Sequence, residues 1–570
     1  MLVIVLLMLG CCVSCGKNNT SSNKTDSGSD SLPSGNDNSE SSGADMDSDS
    51  SSNTSIEKDK NSKGSAGKKY SLNAGSPSES VGQIELGIGE KKKASPKPGS
   101  DLWKLIFPMS GGADAQAETR RNSILNAADT IKAAAGKTTY YVSPDGSDEN
   151  DGKSVFKPVK TLEAELFENL QPGDAVLFER GGLWRVGESS IFKFKKGVSY
   201  GAYGKGDKPA FYGSEQNYAR RSLWEPSNRK YVWKMLLTTG SAGFMVINDG
   251  EQIGELKNGI TGLMKNGDFY HSTSMAASTD AEDYFYLYCD KGNPGDVYDE
   301  IELCLRNGGV NMSSDTYIQN ICFKYFGGLA TAGGGSEGSP LQNVHYENCE
   351  FGWVGGSYQN SRGDRYGNAL QVHNNCKDIT VDNCWFYHIV DAAITYQSST
   401  SDHNWGDVHQ YENIRFDNNL IEYSGLGIEF WSEAELDIGY QKNISVSGNI
   451  MRFAGYGGCA TTTNGSRLCF ICGSRGRWYG NRVSNFVIEN NIFDCSARYI
   501  VYWEWSNTRP EEAVQPGLTV RNNTYYQRPN SVNYLMYWAN QGIKWGTNQT
   551  DLENAVASFD SAPTLVKMIK

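Results

Sequence analysis

The chain has 570 residues, a formal net charge of −13 and a pI near 5.2. This acidic balance excludes the basic footprint that nucleic-acid-binding proteins present, so no nucleic-acid partner is expected. Its 31 Tyr, 21 Phe, 13 Trp and 63 Gly favour many short strands and tight turns over a helical bundle.

The first fifteen residues are predicted to be an export signal. Residues 1–10 (MLVIVLLMLG) are apolar but too short to span a bilayer, as in the apolar region of a signal peptide. The next residues, CCVSCG, are similar to a bacterial lipobox: Cys15 is the expected lipidated residue, Cys11 is the alternative, and cleavage without a lipid is a third outcome. We therefore expect a protein of the bacterial cell surface, lipid-anchored or secreted, which touches the membrane only through its anchor.

Composition divides the rest of the chain into four predicted segments. Residues 16–100 are rich in Ser, Asn and Asp, and a segment with so few apolar residues cannot offset its ordering entropy, so a disordered tether is expected. Residues 101–138 are expected to form an N-terminal capping segment with a helix over 115–135. Residues 139–545 are predicted to form strands and turns, and 546–570 a C-terminal helix or cap.

A repeat in the second half of the chain predicts the architecture. Its unit is Asn or Asp, an apolar residue, any residue, an apolar residue and, after a two-residue gap, Asn or Cys. It occurs as NVHYENCEF, DITVDNCWF, NIRFDNNLI, NISVSGNIM, NFVIENNIF and GLTVRNNTY, which begin at residues 343, 378, 413, 443, 485 and 517. Asn or Cys thus recurs at 349, 384, 419, 449, 491 and 523, as in the asparagine ladder of a parallel β-helix. Strands that cannot bury their inner face alone must stack, so an all-β solenoid is expected.

Each unit carries a second strand, and aligning the first large apolar residue of each predicts which side chains point inward. The expected inward columns are Leu370, Ile394, Ile428, Leu468, Ile500 and Leu535, and Val372, Tyr396, Phe430, Phe470, Tyr502 and Tyr537. The expected outward columns are Gln371, Thr395, Glu429, Cys469, Val501 and Met536, and His373, Gln397, Trp431, Ile471, Trp503 and Trp538. A slip of one residue in the strand around Trp503 would instead turn Glu504 outward.

Ten cysteines lie between Cys289 and Cys495. An exported protein favours disulfides, but several of these cysteines occupy strand positions that are predicted to be interior, where Cys acts as a small apolar residue. We expect most to be buried thiols, and the spaced pair Cys469 and Cys472 to fill a strand rather than to bind a metal.

Several motifs carry a resemblance to a known superfamily. The stretches YYVSPDGSDENDGKS, QPGDAVLFERGGLWR and GVSYGAYGKGDKPAFYGS, and later NCEFGWVGGS and NNLIEYSGLGIEFW, are similar to bacterial right-handed parallel β-helix repeat proteins of the pectin-lyase-like superfamily. The resemblance covers residues 113–545 and implies a right-handed parallel β-helix that acts on or binds polysaccharides. It implies no catalytic residues, because the polygalacturonase motifs NTD, DD, GHG and RIK do not occur in this pattern.

The outward columns supply the candidate site, because a β-helix offers a long flat face to a linear polysaccharide. Trp431, Trp503 and Trp538 are the expected platform for sugar rings. His373 and Gln397 share their column and are expected to contact the same substrate.

Glycoside hydrolysis needs two carboxyl groups, about 5–5.5 Å apart for retention or about 6.5–9.5 Å for inversion. Glu429 is the expected general acid, because desolvation beside Trp431 favours its protonated form. The candidates for its partner are Asp391, Asp364, Glu433 and Glu435. Asp391 precedes the position aligned with Glu429 by four residues, about 13 Å if extended, so it requires a turn that bends back.

Two other functions remain open. A polysaccharide lyase would need an Arg or Lys base, with Ca²⁺ or Arg against the uronate carboxylate. The candidate residues are Arg365, Arg475, Arg477 and Arg482, with Asp364, Asp402 and Asp407 for a metal. An acidic strand face places this function second, and a non-catalytic glycan-binding lipoprotein is the third. No cofactor and no metal is expected for the hydrolase, Ca²⁺ only for the lyase, and the chain is expected to be a monomer.

Overall fold

The computed structural model describes residues 86–570 with internal gaps. The described residues are 86–187, 192–238, 240–271, 283–305, 309–336, 338–358, 365–398, 410–431, 440–457, 468–473, 482–503, 517–529, 534–538, 541–544 and 546–570. Residues 482, 534–538 and 541–544 are described by their backbone alone.

Three long sheets form the body of the protein, and each repeat unit gives one strand to each sheet in turn. In one unit the chain runs through Cys376–Asp382 in sheet 2, Trp385–Ile389 in sheet 1 and Ala392–Gln397 in sheet 3. The next unit follows the same order, and its strands pair in parallel with these three. The fold is a right-handed parallel β-helix, and the predicted fold class is confirmed.

The three long sheets collect strands from distant parts of the sequence. Among the described residues, sheet 1 contains Gly89–Lys91, Gly182–Arg185, Ala210–Tyr212, Ala242–Ile247, Gln252–Ile253, Ile301–Leu305, Cys322–Phe326, Glu350–Val354, Trp385–Ile389, Leu420–Glu422, Ile450–Arg452, Ile492–Asp494, Thr524–Gln527 and Leu565–Met568. Sheet 2 contains Thr139–Val142, Ala175–Glu179, Ser199–Tyr203, Thr316–Gln319, Leu341–Glu347, Cys376–Asp382, Gln410–Asp417, Tyr440–Ser447, Arg482–Glu489 and Leu518–Arg521. Sheet 3 contains Val310–Asn311, Thr331–Gly335, Leu370–Asn374, Ala392–Gln397, Leu426–Trp431, Cys469–Gly473, Tyr499–Trp503, Tyr534–Trp538 and Gln541–Lys544.

A smaller sheet and several short helices complete the described structure. The smaller sheet contains Glu225–Pro226, Val232–Leu236, Glu255–Leu256, Asp268–His271 and Tyr284–Tyr288. The α-helices are α1 (Asp101–Ile106), α2 (Asp114–Leu125), α3 (Glu165–Asn169), α4 (Pro294–Val297) and α5 (Gln549–Ala557), and the 3₁₀ helices are Arg221–Leu223, Asn248–Gly250 and Ile260–Gly262. Among the described residues, none of these helices has both the length and the apolar character needed to cross a membrane.

The core fills the inside of the three sheets, because alternate side chains of each strand point inward. Phe323, Phe351 and Phe386 come from three successive turns and stack with ring centroids 4.9 and 4.7 Å apart. Such aromatic pairs contribute roughly 0.5–1.5 kcal/mol each beyond the burial of their surface. Stacking of identical positions therefore helps to fix the register between turns.

The predicted asparagine ladder lies at the turn between sheets 2 and 1 and is confirmed. Asn419 donates its backbone N–H and its amide to Asn449 Oδ1 at 2.9 and 3.1 Å. Asn449 donates in the same way to Asn491, and Asn491 to Asn523. Asp560 ends the column by accepting hydrogen bonds from the backbone N–H and the side-chain amide of Asn523. The ladder satisfies backbone N–H groups that the turn would otherwise leave buried without an acceptor.

The described cysteines are buried and free, as predicted. Cys349 and Cys384 occupy the first two positions of the ladder. The backbone N–H of Cys349 donates to Cys384 Sγ at 3.3 Å, and that of Cys384 donates to Asn419 Oδ1 at 2.9 Å. A thiol can therefore replace an asparagine in this column.

The N-terminal segment (residues 86–126) adds one strand to sheet 1, packs its helices on the outer face of that sheet, and corrects two predicted boundaries. The strand Gly89–Lys91 pairs antiparallel with Gly182–Arg185, so the folded body begins inside the tether predicted over 16–100. The helix predicted over 115–135 is α2, which ends at Leu125. Residues 127–134 form no regular element, and Ala134 N–H donates to the carbonyl of Gly173 at 2.8 Å.

Helix α2 packs on the side of the solenoid rather than capping its end. Ala117 and Ile124 share an apolar cluster with Leu420 and Ile450 of sheet 1. The buried guanidinium of Arg121 bonds Glu422 at 2.6 Å. A buried cation and carboxylate require each other, and this pair explains why the helix lies against sheet 1.

Candidate functional site

The outer face of sheet 3 carries most of the residues that the sequence singled out. Leu370, Ile394 and Ile428 pair in register and are fully buried, as predicted. Beyond Ile428 the register differs from the prediction, because Ile428 pairs with Ile471, and Ile471 with Val501. Both of these residues point into the core, although the prediction turned them outward.

The difference arises at the corner where the chain passes from sheet 1 into sheet 3. There each unit turns two consecutive side chains into the core, which interrupts strict alternation. These pairs include Ala393 and Ile394, Phe470 and Ile471, and Ile500 and Val501. Where the first member is small, as Ala393 is, the first large apolar residue marks the correct column. Where the first member is large, as Ile500 is, the predicted alignment starts one residue too early. Every later side chain of that strand is then assigned to the wrong face.

Trp503 is consequently a core residue, and its predicted role as a sugar platform is wrong. It is 2% exposed, and its ring centroid lies 6.3 Å from that of Phe430 and 5.8 Å from that of Phe486. Trp538 pairs with Trp503 in the next strand, but its side chain lies outside the described residues. Tyr502, predicted to point inward, belongs to the outward column and is half-buried.

Glu429 lies in the middle of the corrected outward column, between Thr395 and Cys472. It is 4% exposed. Its Oε2 accepts hydrogen bonds from Thr395 Oγ1 at 3.1 Å and from Gln397 Nε2 at 2.7 Å. Glu is almost never so deeply buried without partners, and these two neutral donors fix the orientation of the carboxyl group on the outer side of the strand.

The same column continues on the preceding strand as a series of hydrogen-bonded amides. Asn368 Nδ2 donates to Gln371 Oε1 at 2.8 Å, and the backbone N–H of Ala392 donates to Asn368 Oδ1 at 2.9 Å. Asn368 is fully buried and Gln371 is 8% exposed. The sequence placed Gln371 on this face but gave Asn368 no role, since a single amide before a strand has no distinguishing pattern.

A second outward column lies beside the first, as predicted. It contains His373, Gln397 and Trp431, which pair in register across three strands and are half-buried. Gln397 links the columns through its hydrogen bond to Glu429. An indole, an amide, an imidazole and a buried carboxyl group thus lie on three adjacent strands, and together they can contact both the apolar faces and the hydroxyl groups of a sugar.

The register of sheet 3 places Asp391, a candidate for the second carboxyl group, outside the row of Glu429. Asp391 is 5% exposed and lies at the corner before Ala392–Gln397, opposite Gly425. It is therefore still four positions from the row of Glu429. Asp364, Glu433 and Glu435 lie outside the described residues.

The longest connections of the repeat region border sheet 3. After Leu370–Asn374 the chain enters sheet 2 through one residue, Asn375. After the following sheet 3 strands it does so through residues 398–409, 432–439, 474–481 and 504–517. Turns between sheets 2 and 1, by contrast, keep the two-residue form set by the asparagine ladder. The repeat units thus differ most in the length of the connections at the edge of the face that carries Glu429 and Trp431. Connections of variable length on a constant scaffold commonly carry function.

The groups suggested for a lyase are only partly described. The guanidinium of Arg365 lies 3.6 Å from the ring centroid of Tyr358 and donates to the carbonyl of Gly356 at 2.8 Å, so it anchors its own connection. Burial lowers its pKa. The side chains of Arg475, Arg477, Arg482, Asp402 and Asp407 lie outside the described residues. In the described part, no group of three or more His, Cys, Asp or Glu side chains is arranged to hold a metal ion.

Comparisons with known proteins give similarity at the level of the solved structures. No family model matches the chain, and no curated protein matches it. It is similar to XylC in complex with xylose, with 12% identity over 70% of this chain and 71% of that chain and a TM-score of 0.39. It is also similar to a GH136 lacto-N-biosidase from Eubacterium ramulus, with 14% identity over 76% of this chain and 67% of that chain and a TM-score of 0.33. A rhamnogalacturonan lyase has 12% identity over 70% of this chain and 84% of that chain, with a TM-score of 0.35. The neighbours thus include glycoside hydrolases and polysaccharide lyases, and likeness of this extent carries no information on the reaction of this chain.

Proposed function

We propose that the protein binds a linear, largely neutral polysaccharide along the outer face of sheet 3 and hydrolyses it with Glu429 as the general acid. The observation that carries the proposal is the environment of Glu429. Its carboxyl group is almost completely buried on an outward position, is held by Thr395 and Gln397, and lies in the row next to Trp431. Burying a carboxyl group among neutral donors costs stability, so the presence of Glu429 on this face favours a chemical role.

Binding is supported by the shape and chemistry of the face. Parallel strands place side chains at intervals of about 4.8 Å across the sheet, so Gln371, Thr395 and Glu429 form a continuous polar row. The row containing His373 and Trp431 lies beside it. A net charge of −13 disfavours a strongly anionic polymer.

Hydrolysis requires that Glu429 give a proton to the glycosidic oxygen while a second carboxylate acts as nucleophile or activates water. Asp391 remains the candidate among the described residues, and Asp364, Glu433 and Glu435 are the candidates on the connections. The separation of the two carboxyl groups will then decide between retention and inversion. Anchoring at the bacterial surface through Cys15, and a monomeric state, complete the proposal.

The test is a panel of polysaccharides incubated with the full-length chain. Xylan, galactan, arabinan and mixed-linkage glucan serve as neutral substrates, and polygalacturonate serves as the anionic one. New reducing ends without ultraviolet absorbance from an unsaturated uronate support hydrolysis. Unsaturated products show the lyase instead, and binding without either product shows a capture protein; each of these two results overturns the hydrolase proposal.

A further inference from the structure

A cavity lies between the N-terminal segment and the outer face of sheet 1. It has a volume of about 250 Å³. Its floor is built by sheet 1 and its roof by helix α1 and residues 95–98. None of the side chains discussed for Glu429 lines it, so it is distinct from the face of sheet 3.

The floor of the cavity is polar and deeply buried. Lys324 Nζ lies 3.1 Å from Glu350 Oε1, and the Tyr387 hydroxyl donates to the same oxygen at 2.8 Å. Asp249 lies beside them and accepts a hydrogen bond from the Tyr325 hydroxyl at 3.3 Å. All five side chains are no more than 8% exposed.

These groups retain hydrogen-bonding capacity toward the cavity. An ammonium group has three N–H donors, and in the described part of the chain Lys324 has Glu350 and Tyr387 as its polar partners. Burial raises the pKa of Asp249. Burial also acts to raise the pKa of Glu350, but Lys324, Lys92 and the hydrogen bond from Tyr387 together outweigh it and lower that pKa to about 2. The floor therefore offers both donors and acceptors at neutral pH.

Aromatic side chains form the walls. Trp103, Trp353 and Trp385 line the cavity together with Tyr387. The ring centroids of Trp385 and Tyr387 are 4.3 Å apart, and those of Trp103 and Trp385 are 5.8 Å apart. Aromatic faces beside a polar floor match a ring that has apolar C–H faces and a hydroxylated edge.

The rim and the size of the cavity define what can enter. Asn122, Asn126 and Lys97 line it and are exposed, so it reaches the surface. Small-molecule sites commonly measure about 300–1,000 Å³, and a volume slightly below this range suits a ligand of one ring. The charged lining residues are Lys97, Lys208, Lys324, Asp207, Asp249 and Glu350, and their balance favours a neutral ligand.

We propose that this cavity binds one neutral sugar ring, either a free monosaccharide or the end unit of a glycan. Its occupant contacts Asp249 and Lys324 through hydroxyl groups and the tryptophans through its C–H faces. The site does not depend on hydrolysis at Glu429, and the two can be tested separately.

The test measures binding of D-glucose, D-galactose and D-galacturonate to the full-length chain by isothermal titration calorimetry, with acyclic sorbitol as the control. A saturable heat with a neutral pyranose, but not with sorbitol, is expected. Asn122→Tyr places a ring at the rim and should weaken binding at least tenfold. Ser123→Tyr, on the same helix but outside the cavity lining, should bind as the unchanged protein does.

Two further variants separate this site from the face of sheet 3 and from a folding defect. Asp249 has φ 54°, a conformation that Asn also adopts, so Asp249→Asn should fold and still bind at least tenfold more weakly. Glu429→Gln should leave monosaccharide binding unchanged. No saturable heat with either neutral sugar, a preference for galacturonate, or full binding by Asn122→Tyr would overturn the proposal.

Discussion

The indole of Trp503 occupies the space in the core that a side chain at Gly473 would need. The two residues pair across neighbouring strands of sheet 3, and a Cβ at Gly473 would lie 2.0 Å from Cδ2 of Trp503. The glycine therefore leaves room for a tryptophan side chain to turn inward from the neighbouring strand. This relationship explains why Trp503 lies in the core and not on the outer face of sheet 3.

Gly473→Ala should destabilise the protein by about 1–3 kcal/mol, the usual cost of overpacking a filled core. Urea denaturation followed by tryptophan fluorescence measures the change. Gly259→Ala is the control, since a Cβ at Gly259 meets no atom within 4 Å. Equal stabilities of the two variants would contradict the packing described.

Trp431 and Trp503 should respond in opposite ways to truncation. Trp503→Ala should lower the free energy of unfolding by about 3–5 kcal/mol, as expected for a large buried aromatic residue. Trp431→Ala should affect stability much less, because the side chain is half-buried, and should weaken polysaccharide binding about tenfold or more. Affinity gels and denaturation curves measure the two effects, and a reversed pattern would place the sugar contact elsewhere.

Glu429→Gln should lower the rate of polysaccharide hydrolysis by about 10²–10⁴ while binding persists, because loss of a general acid typically costs that factor. Initial rates of reducing-end formation provide the measurement. The matched control is Glu412→Gln on sheet 2, where Glu412 pairs with Lys442 at 3.0 Å. Full activity of Glu429→Gln would show that another residue supplies the proton.

The stability of the protein should fall as the pH falls from about 6.5 to about 4. His388 stacks on Trp353 with centroids 4.2 Å apart, and its Nε2 lies 3.0 Å from the carbonyl oxygen of Ile106. Burial lowers the pKa of His388 to about 4, against the smaller opposing effects of the Ile106 carbonyl and of Glu422. Between these pH values the unfolded chain takes up a proton that the folded chain does not, so folding loses up to about 3 kcal/mol.

His388→Asn tests this origin of the pH dependence. Asn tolerates the positive φ of 51° at this position and does not titrate. Denaturation midpoints at pH 7 and pH 4 should therefore differ less in the variant than in the unchanged protein. Parallel pH profiles would assign the loss to other groups.

The ladder and the first half of sheet 3 could be predicted because they depend on local alternation. Asn419 and Asn449 recur at a fixed distance from apolar strand residues, and each satisfies its neighbour. Ile394 and Ile428 follow Ala393 and Gly427, so the first large residue marks the inward column. The same alignment fails at Ile500, because Ile500 and Val501 both point inward and the first of the two is already large.

The cavity and the N-terminal segment could not be predicted, because they depend on contacts between distant parts of the chain. Lys92 and Asp207 lie 3.7 Å apart, and Arg121 meets Glu422 although about 300 residues separate them. No periodicity within residues 86–100 marks their place on sheet 1. Lys324 and Glu350 belong to ordinary strands, and only the fold brings them beneath Trp103.

The position of the N-terminal segment has a consequence for the order of folding. Gly112 N–H bonds Asp494 at 2.8 Å, and Arg528 bonds the carbonyl of Ser110 at 2.6 Å. Synthesis makes the segment first, yet these partners emerge from the ribosome hundreds of residues later. The contacts of Ser110 and Gly112 can therefore form only after the last turns of the solenoid have been synthesised, whereas the pairing of Gly89–Lys91 with Gly182–Arg185 needs only the first turns.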